Sequence, residues 1–311
     1  MAEAAVKQKK ELTGRQKKKI KLFLLLLPFM CLPLIFAYVP LFGWSYAFID
    51  FTPGKSIFKS DFVGLKYFQR IFNNPKDFIL VMRNTLTLSF MNICCSVLPA
   101  IFAIAISQLN SKRYAKIVQT CTSIPNFISW VLVYSMVFML LSSEDSAMNI
   151  LLKNLGLIDQ SVNPLANVKY AWFVQVAIGV WKSLGYNAII YLSAISSIDQ
   201  ELYQAAEVDG ANNWQRIIHI TVPGLLSTFF VLLLLAISNM LSNGFEQYWL
   251  LGNSMTWDKL EVFDTYVYRL GVRNMEYSLA TAMGMFKSIV SICLLTFANW
   301  ASKKLRGESI F

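Results

Sequence analysis

Lys182 and Lys287 are the side chains that most demand a chemical explanation, because each places an ammonium group near the middle of an otherwise apolar run. A charge inside hydrocarbon is costly and ordinarily faces a cavity or a partner. Polar groups recur around both lysines. Gln175, Gly179, Lys182, Tyr186 and Ser193 follow helical spacing, with Trp181 and Asn187 beside them. Asn239, Ser242, Asn243 and Glu246 lie in a second run, and Thr281, Gly284, Lys287, Ser288 and Ser291 in a third. Dispersed amides and hydroxyls next to flat aromatic rings suit the non-covalent recognition of a sugar, and two ammonium groups also suit an acidic one. The same residues have a plainer use. Ser, Asn and Gly stripes pack helices together, and Trp and Tyr anchor spans at the lipid interface.

Covalent chemistry has little to work with. His219 is the only histidine, and Cys31, Cys94, Cys95, Cys121 and Cys293 are scattered through apolar stretches. No catalytic residue, resident cofactor or metal site is therefore expected. Pro53, Gly54, Lys55 and Ser56 look like the tail of a phosphate-binding loop, but Ile49 stands where its first glycine belongs.

The elements that must position these groups are membrane helices. Of 311 residues, 56% are apolar or aromatic and 15% charged, against roughly 45–50% and about 25% in a soluble domain. Nearly charge-free runs predict six spans, at 22–49, 84–108, 117–141, 170–194, 225–244 and 277–301. Each is long enough for about 30 Å of hydrocarbon. Pro28, Pro33 and Pro40 kink the first, which lacks a signal-peptide cleavage site. We divide the chain into a basic tail at 1–21, a six-span membrane domain at 22–302 and a second tail at 303–311.

Basic residues near span ends favour the cytoplasm. Lys7, Lys9, Lys10, Arg15, Lys17, Lys18, Lys19 and Lys21, the connection with Lys112, Arg113 and Lys116, and the end with Lys303, Lys304 and Arg306 then share one side. Both termini are expected to be cytoplasmic and to touch anionic lipid, with no nucleic-acid partner. Lys55, Lys59, Lys66, Arg70, Lys76 and Arg83 in the first outer loop run against the rule locally.

The inward loop 196–224 has the wrong charge for a simple connector: Asp199, Glu201, Glu207 and Asp209 against Arg216. It reads as two short helices. Ser197 with Gln200 resembles a capping box, Gly210 supplies a left-handed stop, and Asn212 or Asn213 caps a second helix ending before Pro223. Leu202, Tyr203, Gln204, Ala205, Ala206, Glu207, Asp209, Gly210 and Ala211 thus form an exposed acidic helix with paired alanines and an aromatic, suited to being gripped by a partner. A solvated connector is the alternative.

The run from Gln204 to Ala211, with nine residues between Gly210 and the sequence Ile220, Thr221, Val222, Pro223, resembles the EAA motif of permease subunits of binding-protein-dependent ABC importers. Gln204 replaces the motif's Glu and Val222 its usual Leu. The resemblance runs from about residue 20 to the end. Trp181, Lys182 and Gly185, Tyr191 and Leu192, Phe245 to Gln247, Asp264 to Arg269, and Asn299 to Leu305 are similar to the oligosaccharide-type, LplB-like permeases.

The resemblance implies an all-α integral membrane subunit with six transmembrane helices, the type I (MetI-like) fold and a cytoplasmic coupling helix. It also implies a second, related permease, two copies of an ATP-binding subunit that carry the ATP and Mg, an extracytoplasmic solute-binding protein and a carbohydrate substrate. An autonomous transporter coupled to an ion gradient is the alternative. It would call for internal repeats and intramembrane carboxylates, and neither is evident.

Overall fold

The computed structural model describes residues 14–73, 75–142 and 146–306. Most of the predicted tail at 1–21 and the last five residues of the second tail lie outside them. The described residues are helical, with an isolated antiparallel bridge between Ile49 and Phe62. In hydrocarbon a helix satisfies its own amides and carbonyls, so apolar runs of this length fold locally before they pack.

Helix α1 (Gly14–Pro33) continues through a π turn (Leu34–Tyr38) and a 3-10 segment (Val39–Phe48). The prolines do not stop it. The wider turn at Leu34–Tyr38 absorbs the missing amide donors. Helix α2 (Lys66–Asn73) and helix α3 (Pro75–Cys95) follow, and α4 (Leu98–Ser107) extends α3 across a one-turn irregularity, so the second span runs Lys76–Ser107. Lys76 and Arg83, expected in a loop, therefore sit within helix α3.

The third predicted span is broken. Helices α5 (Lys112–Phe127) and α6 (Trp130–Leu141) are bent by 102° at the join. Pro125 lies in the last turn of α5, and the Ser129 hydroxyl caps α6 by accepting from the Leu132 amide at 3.4 Å. Helix α7 (Ala147–Asn154) precedes α8 (Ala171–Ser196), the central span, which packs against α3, α4, α5 and a later span. Small residues allow the approach. Ala100, Ala103 and Ala188 are buried at the α4–α8 contact, and a Cβ on Gly185 would run into the Thr122 carbonyl of α5.

After α9 (Gln200–Val208) and α10 (Asn213–Arg216), a π turn (Ile217–Thr221) leads into α11 (Val222–Ser238). The fifth span is thus Asn213–Ser238, which begins earlier and ends sooner than 225–244. Helices α12 (Glu246–Leu251), α13 (Trp257–Leu260) and α14 (Phe263–Tyr268) precede α15 (Tyr277–Arg306), the last span. Among the described residues, five helices are long and apolar enough to cross a membrane, and the bent α5–α6 pair, taken as one span, makes six.

A buried cluster of Ala47, Tyr67, Val81, Phe263 and Met283 ties the first span, α2, α3 and α14 to α15. Polar pins fix the same end. The Asn84 amide donates to the carbonyls of Asp258 (2.9 Å) and Glu261 (3.1 Å), and the Thr85 hydroxyl accepts from the Phe263 amide at 2.9 Å. Burial pushes the Glu261 carboxyl above the usual carboxylate range, opposed by the Arg269 guanidinium that donates to it at 2.6 and 3.1 Å.

Candidate functional site

The broken third span and the segment that follows α11 meet at α8 and leave a cavity of about 520 Å³ between them. The α5–α6 break contributes Asn126, Ile128, Ser129 and Trp130, helix α8 contributes Gly179, Lys182 and Ser183, and helix α3 contributes Asn92. Asn243, Glu246, Gln247 and Tyr248 come from the irregular segment after α11 and from α12. The wall is thus amides, hydroxyls, one carboxylate and aromatic rings.

Lys182 is 7% exposed, and its three ammonium donors all have acceptors. They reach the carbonyls of Pro125 (3.0 Å), Asn126 (2.9 Å) and Ile128 (2.7 Å), and the nitrogen lies 5.2 Å from the centre of the Trp130 ring. A helix C-terminus leaves carbonyls unpaired and carries partial negative charge. The lysine supplies what the broken end of α5 lacks.

The segment after α11 is pinned as well. Lys287 of α15 pairs with Asp264 of α14, whose other oxygen accepts from the Gly244 amide at 3.0 Å. Gly244 has φ +91°, a conformation that favours glycine. The Asn243 amide donates to the Ser89 hydroxyl at 2.9 Å, and Ser89 donates to the Met240 carbonyl at 2.5 Å. Gln175 is buried behind the cavity, where Gln247 donates to its carbonyl (2.8 Å) and its side-chain oxygen (3.0 Å).

Of the expected path residues, Lys182, Asn243 and Glu246 line this cavity and Gln175 supports its wall. Trp181 and Tyr186 are exposed on other parts of α8, Tyr186 edge-on to Phe127 with ring centres 6.0 Å apart. Asn187 is half-buried away from the cavity, and Asn239 donates to the Leu235 carbonyl at the end of α11. Lys287 acts through Asp264 rather than facing the cavity. Asn92, Asn126, Ser129, Trp130, Ser183 and Tyr248 escaped sequence reasoning. Pro125 followed by Ser129 was the available signal for the break that presents three of them.

On the loop 196–224, the Asp199 side chain, not Ser197, caps α9 by accepting from the Glu201 amide at 2.9 Å. Asp199 sits at the helix entry, while the Ser197 hydroxyl is spent on the Ala194 carbonyl at the end of α8. Gly210 (φ +76°) ends α9, and the Ala211 amide reaches the Ala206 carbonyl at 2.9 Å. Asn212 and Gln215 form a reciprocal capping box for α10. That helix does not stop before Pro223. The π turn realigns the ladder so that the missing proline donor falls in the first turn of α11.

No residue of α9 is buried, and Leu202 and Val208 are 53% and 89% exposed. Gln204, Ala205, Glu207 and Asp209 are exposed with them, while Ala206 and Ala211 are half-buried. Glu207 lies 3.6 Å from Arg216 of α10. Tyr203 turns inward, its hydroxyl 2.9 Å from that of buried Thr221.

A helical bundle with an exposed helical hairpin and a polar cavity beside a broken span suits a transport permease. Residues 96–307 match the model of the binding-protein-dependent transport system inner membrane component, and the chain belongs to that family. It is therefore a membrane permease of an ABC importer with the MetI-like fold, and nothing supports the ion-coupled alternative.

The chain is 37% identical to Protein LplB of Bacillus subtilis (strain 168) over 291 residues, covering 93% of this chain and 91% of LplB. It is 38% identical to the polygalacturonan/rhamnogalacturonan transport system permease protein YteP of the same organism, covering 93% and 90%. A chain from the crystal structure of a bacterial ABC transporter involved in the import of the acidic polysaccharide alginate matches with TM-score 0.84 and 35% identity, covering 93% of this chain and 97% of that one. A chain from the alginate transporter in complex with alginate pentasaccharide-bound periplasmic protein gives 0.85 and 34%, covering 96% and 99%.

Proposed function

We propose that this permease forms half of the membrane path for an oligosaccharide delivered by an extracytoplasmic solute-binding protein. The observation that carries the reading is the cavity wall: Asn92, Asn126, Asn243 and Gln247 offer amides, Ser129 and Ser183 hydroxyls, and Trp130 and Tyr248 aromatic rings. Such a surface trades hydrogen bonds with many sugar hydroxyls while charging little for any one of them. The saccharides in the names of YteP and the alginate importer point the same way.

A second, related permease completes the path, and two copies of a separate ATP-binding subunit bind ATP and Mg. The residues from Leu202 to Ala211 dock on that subunit through the exposed Leu202, Val208 and the carboxylates of Glu207 and Asp209. Docking drives reorientation only if its free energy differs between the inward and outward states. Both termini and the loop 196–224 are cytoplasmic, and Lys18, Lys19, Lys21, Lys303 and Lys304 meet anionic lipid. The path domain spans 22–302.

Copurification with an ATPase, followed by uptake of labelled oligosaccharides into proteoliposomes containing the whole complex, tests the reading. ATP- and binding-protein-dependent uptake is expected. Uptake of an oligosaccharide by this chain alone, without ATP, overturns it.

A further inference from the structure

The α5–α6 break sits beside the cavity, and Lys182 is the side chain that closes it chemically. Three carbonyls around the break converge on one ammonium, and the first residue of α6, Trp130, lies over the same charge. One turn further along α8, Gly185 leaves no room for a Cβ against the Thr122 carbonyl, so α8 and α5 also touch closely one turn from the lysine. Four cavity-wall residues, Asn126, Ile128, Ser129 and Trp130, hang on this one join.

We propose that Lys182 is a positioning residue for transport: its ammonium holds the third span in its broken form and thereby sets the cavity wall that meets the substrate. The inference rests on the reading of this cavity as the path. Without the ammonium, the Asn126 and Ile128 carbonyls lose the donor seen here and the Pro125 carbonyl keeps only the Ile128 amide at 3.3 Å, and continuing the helix from α5 into α6 is the ready way to satisfy them. Straightening removes Asn126, Ser129 and Trp130 from the wall. The ammonium donors are consumed within the chain, so the lysine recognises substrate through the groups it places rather than through its own hydrogen bonds.

Spin labels at Lys116→Cys and Met139→Cys, in a complex whose native cysteines are replaced by serine, report the bend. A straight helix over these 23 residues measures about 35 Å. The 102° bend shortens that to roughly 20 Å by the same rise per residue. The complex and its Lys182→Arg variant should show the short population, whereas Lys182→Met should shift towards the long one or broaden. Uptake of tritiated arabinotriose or trigalacturonate, whichever the complex imports, should show a half-saturation concentration raised about tenfold in Lys182→Met, the worth of roughly one sugar hydrogen bond. Its maximal rate should stay within about twofold, because the ATP-driven stroke is untouched, and Lys182→Arg should restore the half-saturation value.

An unchanged distance distribution and half-saturation in Lys182→Met overturn the proposal. Should that variant fail to assemble, Lys182→Gln, which keeps two donors, is expected to lie between the extremes, and wild-type behaviour there overturns it equally. If the wild-type complex imports neither sugar, the path reading is in question while the distance measurement still decides the pin.

Discussion

The hydroxyl of Tyr203 on α9 lies 2.9 Å from that of Thr221, at the π turn where α10 becomes the fifth span. Helix α9 is thereby joined to a transmembrane helix by a side-chain contact 18 residues apart in sequence. Force applied to α9 has a short route into α11 that bypasses the Asp209–Ala211 corner.

Tyr203→Phe removes that route and little else. Thr221 is 1% exposed, and its hydroxyl loses a partner at a cost of about 1 kcal/mol. ATPase association should persist while sugar uptake per ATP hydrolysed falls several-fold. The ratio of the two rates in proteoliposomes checks this, and an unchanged ratio removes Tyr203 from the coupling route.

Gly210 separates backbone from packing. A Cβ there meets nothing within 4 Å, yet the residue has φ +76°. Gly210→Val should therefore loosen the α9 stop and ATPase association, whereas Gly210→Asn, better tolerated in the left-handed region, should retain most of both. Equal behaviour of the two variants in a copurification assay would contradict a backbone role.

The Lys287–Asp264 pair predicts non-additivity. Both side chains are 21% exposed, so Lys287→Met alone, which strands a carboxylate, should destabilise by about 3 kcal/mol. Adding Asp264→Asn, which keeps an oxygen for the Gly244 amide, should recover part of the loss. Thermal unfolding of the detergent-purified subunit measures the cycle, and additive effects would show that the pair does not couple.

Acid should weaken the C-terminal end of the first span. The Tyr67 hydroxyl (2.6 Å) and Lys66 ammonium (3.0 Å) donate to Asp50 and hold its carboxyl below its ordinary 3.8. A carboxyl lowered on folding stabilises the fold above its unfolded value, and the contribution fades as pH falls through the folded one. Tm should thus drop more steeply below about pH 4 in the wild type than in Asp50→Asn. Superimposable acid limbs would remove Asp50 as a contributor.

Hydropathy made the spans legible because burial in lipid acts on whole runs of residues. It hid the break for the same reason: 117–141 carries no charge, and Pro125 and Ser129 mark the bend. Lys182 and Lys287 drew notice as misplaced charges, but their partners lie 54 or more residues away for the first and 23 for the second, beyond any local pattern. The inward hairpin was the most readable part, since Asn212, Gln215 and Gly210 act within their own turns. Asp199 displaced Ser197 as cap because helix α8 extends to Ser196 and occupies the serine.

The pins between α3 and the residues around α13 set an order on biosynthesis. Asn84 and Thr85 leave the ribosome some 174 residues before the carbonyl and amide groups that complete them. Until Asp258, Glu261 and Phe263 have been translated, the Asn84 amide and the Thr85 hydroxyl lack these partners. This end of the bundle therefore closes late, after the fifth span has been made.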